Sequence, residues 1–130
     1  MYEAITHGVR VKVTPEYLDE QSSPDENYFF WAYTVEIANE GDGVVQLKTR
    51  HWRITDANGK VDEVRGPGVV GKMPRLDPGQ SFTYTSGCPL TTPSGIMAGS
   101  YQMQREDGSL FDVAIPAFSL DSPFVGRSVN

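Results

Sequence analysis

The stretch Tyr28-Phe29-Phe30-Trp31-Ala32-Tyr33-Thr34-Val35-Glu36-Ile37-Ala38 decides the fold class. Phe29, Trp31, Tyr33, Val35 and Ile37 occupy alternate positions, and successive side chains of a strand point to opposite faces. One face of the segment is therefore continuously apolar. The other carries Tyr28, Phe30, Ala32, Thr34 and Glu36, a mixed set that suits a mid-sheet strand with one face in a core and the other partly covered.

The same period of two recurs outward from this segment. Upstream, Val9, Val11 and Val13 alternate with Arg10, Lys12 and Thr14 as a half-buried strand. Residues 21–27 between the two are a loop by composition. Downstream, Asn39 to Gly43 form a turn. In the following run Val45 and Leu47 share one parity, whereas Trp52 and Ile54 take the other. A change of phase within one strand predicts a β-bulge between Lys48 and His51. The pair Asn58-Gly59 predicts a tight hairpin built on positive-φ residues, with Lys60 to Arg65 returning and Val61 and Val64 as its apolar anchors. Phe82, Tyr84, Ser86 and Cys88 mark another strand. Ser100 to Arg105 and Leu110 to Ala117 flank a second hairpin at Asp107-Gly108, with Phe111, Val113 and Ile115 facing the core.

No window places apolar residues at helical spacing over three turns. About seven to eight strands, with turn signals every ~8–12 residues, predict an all-β chain folded as an antiparallel immunoglobulin-like sandwich. A parallel sheet would need crossover helices that no segment supplies.

The chain has 130 residues, the size of one ordinary domain. Residues 1–130 read as a single domain with its core between residues 6 and 120 and a frayed polar tail over residues 121–130. Eleven Lys and Arg against 17 Asp and Glu leave a net charge of −6. This sign argues against nucleic acid and against an anionic membrane surface as partners. Cys88 stands alone, so no intrachain disulfide is available. With no secretory leader and no long apolar run, the expected location is cytoplasmic.

The motifs divide into one candidate site for anions and one for a partner. Gly66-Pro67-Gly68-Val69-Val70-Gly71 has the form G-x-G-x-x-G. Pro74 and Pro78 forbid the helix that such a motif opens in a dinucleotide fold, so a crossover loop is the plain reading. An anion nest formed by the amides around Gly66, Gly68 and Gly71, flanked by Arg65, Lys72 and Arg75, is the functional alternative. Arg50-His51-Trp52-Arg53 mixes cations with an aromatic ring as binding hot spots do, which makes Arg50, His51 and Arg53 candidates for partner contact. His7 and His51 are not a spaced pair and Cys88 has no second cysteine nearby, so no metal site and no cofactor is expected. No catalytic set emerges either. Cys88 shares parity with Phe82 and Tyr84 and reads as a buried hydrophobe.

The strings Val69-Val70-Gly71, Pro74 to Gly79, Phe82 to Leu90, Thr92 to Tyr101 and Phe111 to Phe118, with Arg50 to Gly59 upstream, resemble the ApaG family over nearly the whole chain. The resemblance implies a fibronectin type III-like sandwich in a bacterial cytosolic protein. Such proteins are often encoded beside a diadenosine tetraphosphate hydrolase and are linked to cobalt and magnesium resistance. Related domains in eukaryotic F-box proteins and in a DNA-polymerase-interacting protein imply protein binding. The family's own G-x-G-x-x-G matches Gly66, Gly68 and Gly71, and the family supplies no catalytic set to carry over. The resulting expectation is a non-catalytic interaction module, not an enzyme, with an indirect link to metal resistance. The alternative is a sensor of nucleotide or polyphosphate built on the Gly66–Gly71 loop.

Overall fold

In a computed structural model that describes residues 1–124, nine strands form two antiparallel sheets packed face to face. The strands are β1 (Tyr2–Thr6), β2 (Val9–Tyr17), β3 (Phe29–Asn39), β4 (Val45–Asp56), β5 (Val61–Pro67), β6 (Arg75–Leu76), β7 (Ser81–Leu90), β8 (Ser94–Arg105) and β9 (Leu110–Asp121). The first sheet runs β1-β2-β3-β7 and the second β5-β4-β8-β9, with the two-residue β6 also on β4. This is a sandwich of the immunoglobulin and fibronectin type III kind. The loop before β3 holds two single 3₁₀ turns, Asp19–Gln21 and Pro24–Glu26.

The alternation in β3 is the spine of the core. Phe29, Trp31, Tyr33, Val35 and Ile37 are all buried. They meet Val9, Val11 and Val13 from β2 and Leu47, Trp52, Met97, Tyr101, Met103, Phe118 and Leu120 from the second sheet. The expected bulge in β4 is present. Leu47 pairs with Met103 and Thr49 with Gln102, so Lys48 is the extra residue and both Leu47 and Trp52 can face inward. A second bulge lies in β9, where Met97 pairs with Phe118 and Gly99 with Ile115. Pro116 and Ala117 absorb the phase change that lets Ile115 and Phe118 share one face.

The structure corrects several sequence expectations. Val61 and Val64 are not anchors. They are 49% and 40% exposed, because β5 pairs only with β4 and stands at the sheet edge. Phe111 is half-buried rather than core, lying under the Arg105 guanidinium at 4.0 Å. Strand β8 begins at Ser94, earlier than the sequence pattern placed it. Both hairpin turns use one positive-φ glycine each, Gly59 and Gly108, following a single turn of ordinary hand. The Asp56 carboxylate accepts from the amides of Asn58 and Lys60, and Asp107 accepts from the amide and hydroxyl of Ser109. Side-chain acceptors thus replace the second left-handed residue of a two-residue hairpin. Of the tail expected to fray, Asp121 ends β9, Ser122 donates to the Pro93 carbonyl, and Phe124 packs on Tyr17 and Phe29. The rest of that tail, residues 125–130, lies outside the described residues.

Candidate functional site

The two sheets do not close equally on their two sides. On one side β1 and β2 pack against β9, and Thr6 Oγ1 accepts from the Ala114 amide. On the other side the edge strands β5 and β7 leave a cleft of about 290 Å³, walled by Tyr33, Trp52, Ile54, Val64, Leu90 and Met97. A neighbouring cavity of about 280 Å³ shares Ile54, Asp62, Pro89 and Leu90 with it and continues the opening toward Tyr28 and Lys60. The two together make a groove along one side of the sandwich with a free strand edge on each bank.

Strand geometry divides the run Arg50 to Arg53. Arg50 pairs with Gly66 and Trp52 with Val64, and these positions face the cleft. His51 and Arg53 face the opposite way. There His51 Nε2 lies 2.8 Å from Glu63 Oε1, and Arg65 Nη2 lies 3.7 Å from the same oxygen. That contact with His51 holds the exposed Glu63 carboxyl below the usual glutamate range. The three residues read from sequence as one partner surface therefore sit on two faces of the sheet.

The glycine-rich stretch has a packing account position by position. Gly66 leaves room for the Arg50 guanidinium, which would lie 3.0–3.1 Å from any Cβ placed there. Arg50 Nη1 donates to the carbonyls of Pro67 and Gly68, each at 2.9 Å. The Gly68 amide donates to the carbonyl of the bulge residue Lys48 at 2.9 Å. Gly68 has φ +61°, and a Cβ there would strike the Lys72 carbonyl oxygen at 2.3 Å. Val69 and Lys72 exchange two backbone bonds of 2.8 and 2.9 Å around Val70 and Gly71, whose φ values are +44° and +79°. Two consecutive positive-φ residues are the signature of a type I′ turn. Valine rarely adopts that conformation, so Val70 is a strained position.

These bonds bear on the candidate anion loop. The amides of Gly68, Val69 and Lys72 all donate to carbonyls of the protein. Arg75 is drawn away to Glu106, 3.5 Å distant across a different cavity. What gathers instead is a side-chain set. Thr49, Arg50, His51, Arg65 and Gly66 line an open cavity of about 360 Å³ on the outer bank of β5. Arg50 belongs to both this cavity and the cleft, a junction that sequence reasoning missed because it depends on Gly66 lying across the strand pair.

Polar groups of the cleft wall and of the core complete the geometry. Tyr84 from the first sheet and Tyr101 from the second join hydroxyl to hydroxyl. Tyr33 and Ser86 pair across β3 and β7, and both line the cleft. Burial raises all three phenols above the ordinary tyrosine range, and the positive charge of Arg50 acts on each in the opposite sense. Burial, aided by Asp62, pushes the Cys88 thiol up to about 11, leaving little thiolate at neutral pH. Among the described residues no group of three or more His, Cys, Asp and Glu is placed to hold a metal ion, and no helix is long and apolar enough to cross a membrane.

At the far end of the sandwich a cavity of about 340 Å³ lies among His7, Asn39, Asp42, Arg105, Glu106 and Phe111. Its buried amide, Asn39, is already engaged with Gly43 O, Leu76 O and the Gly41 amide.

Residues 19–105 match the model of the ApaG domain. The chain is 63% identical over its full 130 residues to a protein called Protein ApaG from Paramagnetospirillum magneticum, and 61% identical to one from Beijerinckia indica, covering all of each. Among solved structures it resembles the putative ApaA protein from Bordetella pertussis. That likeness has a TM-score of 0.86 and 48% identity, over 94% of this chain and 96% of that one.

Proposed function

The chain belongs to the ApaG domain family, and from that premise we propose that it works as a non-catalytic interaction module whose protein partner occupies the open side between β5 and β7. The observation that carries this reading is the coincidence of an unpaired strand edge with an apolar cleft behind it. Val64 sits on that edge directly opposite Trp52 and is 40% exposed, and Val61 is 49% exposed. A free edge offers backbone donors and acceptors to any extended segment, and pockets behind the edge read its alternate side chains. A link to cobalt and magnesium resistance would then run through whatever protein binds here.

Genetically encoded photocrosslinkers test the reading in living cells. A probe replacing Val64 should yield a discrete crosslinked product absent when the probe replaces Lys12, on the outer face of β2. Equal labelling at both positions, together with hydrolytic turnover by the purified protein, would sink it.

One observation supports a second reading, a sensor of nucleotide or polyphosphate. Arg50, His51 and Arg65 converge on one open cavity beside Gly66. Glu63 already neutralises part of that charge, so the interaction reading stands first. A thermal shift with pyrophosphate that disappears in Arg65→Gln would reverse the order.

A further inference from the structure

Resting on the interaction reading, we propose that the Arg50 guanidinium is the anchor for a carboxylate on an extended partner segment lying along the free edge of β5. Arg50 springs from β4, one strand in from the edge. Its neighbour on β5 is Gly66, and the absence of a side chain there lets the guanidinium lie flat across the edge strand. A positive charge is thereby delivered to the groove from the strand behind. Any side chain at position 66 would displace it.

That charge has no counter-ion of its own. Its bonded partners are the neutral carbonyls of Pro67 and Gly68, both on Nη1. Among the described residues no ion pair to Arg50 is formed, although Arg10, Lys12, His51, Arg65 and Arg75 each have an acidic partner. Nε and Nη2 make no hydrogen bond among the described residues, and Arg50 lines both the cleft and the open cavity beside it. A guanidinium with one nitrogen fixed and an open flank presents a fork matched to a carboxylate, and bonds between ionised groups are about twice as strong as neutral ones.

Register turns this into a pattern. A strand added to β5 alternates its side chains between the cleft and the outside. The residue opposite Gly66 meets Arg50, and the one opposite Val64 faces Trp52 and the apolar wall. The preferred segment therefore carries an acidic residue two positions from an apolar one. Asp62, also in the cleft and paired with Ile54, repels a second acid placed opposite itself and so fixes the acid at the Arg50 end.

Three end-blocked nine-residue peptides of alternating valine and threonine, with glutamate, glutamine or lysine at one cleft-facing position, provide the probe. They are titrated into the ¹⁵N-labelled full chain and followed by NMR. The glutamate peptide should bind at least tenfold more tightly than the other two, shifting β5 amides and Arg50 Nε. In Arg50→Gln, which removes the charge and keeps an amide donor, the advantage should shrink to within twofold. Gly66→Ala, which moves the guanidinium without removing its charge, should also reduce it and carries the test if Arg50→Gln does not fold.

Equal binding of the three peptides, binding of none, or a glutamate preference that survives in both variants overturns the proposal. So does an equal Arg50 shift with sodium acetate alone, which would make this a small-anion site. A crosslink at Val64 that persists in Arg50→Gln would leave the interaction reading intact while removing Arg50 from it.

Discussion

Replacing Gly68 by alanine puts a methyl group where the Lys72 carbonyl already stands. The new Cβ would lie 2.3 Å from that oxygen and 3.0 Å from its carbon, in a backbone at φ +61°. The left-handed conformation alone costs a non-glycine residue about 1–2 kcal/mol. The overlap adds about 1–3 kcal/mol, the usual range for forcing atoms into a packed site. Retreat is blocked, because the loop is held by the bonds from the Gly68 amide to Lys48 and from the Val69 amide to Lys72. The sum for Gly68→Ala is about 2–5 kcal/mol. Gly71 is the internal control. It has φ +79° and open space where a Cβ would go, so Gly71→Ala carries only the conformational part, about 1–2 kcal/mol. At about 2.1 cal/mol/K of unfolding entropy per residue, each kcal/mol lowers the melting temperature of a chain this long by about 4 °C. Urea unfolding at neutral pH, with unchanged m-values, measures the difference. If the two alanine variants fall within about 0.5 kcal/mol of each other, the usual size of an ordinary surface substitution, then Gly68 is not kept for close approach and the packing account of the motif is wrong.

Tyr84→Phe and Tyr101→Phe should each destabilise by about 1–3 kcal/mol by leaving a buried hydroxyl alone, while the double variant recovers much of the loss. A double-mutant cycle showing simple additivity would mean that the two hydroxyls do not depend on each other. Cys88, with its thiol raised to about 11 by burial and Asp62, should react with a disulfide reagent at pH 8 far more slowly in the native protein than in urea. Equal rates would place it at the surface. The Glu63 carboxyl is held low by His51, so the stability it contributes is present above the ordinary glutamate pKa and is lost as pH falls through the lowered value. Glu63→Gln should therefore flatten the acid limb of the stability curve just below about pH 4.3, and an unchanged limb would show that the pair does not persist in solution. Gly99→Ala, whose Cβ would meet the His51 carbonyl at 2.1 Å, should loosen the β4–β8 pairing, read as faster amide exchange along both strands.

How much of this was legible in sequence depended on whether a residue's environment was set by its own strand or by a distant one. The alternation Phe29 to Ile37 needs no knowledge of partners, and neither does the parity change between Leu47 and Trp52, so the spine of the core and the bulge at Lys48 could be read directly. The bulge at Pro116 and Ala117 left the same signal, since Val113 and Ile115 differ in parity from Phe118 and Leu120. It is lost when the strand is ended at Ala117. Strand β1 carries only Tyr2, Ala4 and Thr6 as a weak alternation and depends on β2 for its pairing. Val61 and Val64 look like core residues because apolar β-branched side chains favour strands wherever they lie. Their exposure follows from what does not flank β5. The glycine string is the sharpest case. Gly66 answers to the Arg50 guanidinium and Gly68 to the Lys72 carbonyl, whereas Gly71 answers only to its own positive φ, and no spacing rule records that.

The buried hydroxyl contact between Tyr84 and Tyr101 ties one sheet to the other within the core. Under the interaction reading proposed above, a sandwich whose sheets are fastened to each other in this way adapts little by breathing, so a partner would find its seat already shaped. The loss of freedom on association then falls mainly on the incoming segment. In kinetic terms, the encounter becomes a matter of fit or rejection rather than mutual remodelling. Under that reading, selectivity would be written at the rim, in positions such as Val61, Asp62 and Arg65, and the sheet-to-sheet contact would set only how rigid the seat is.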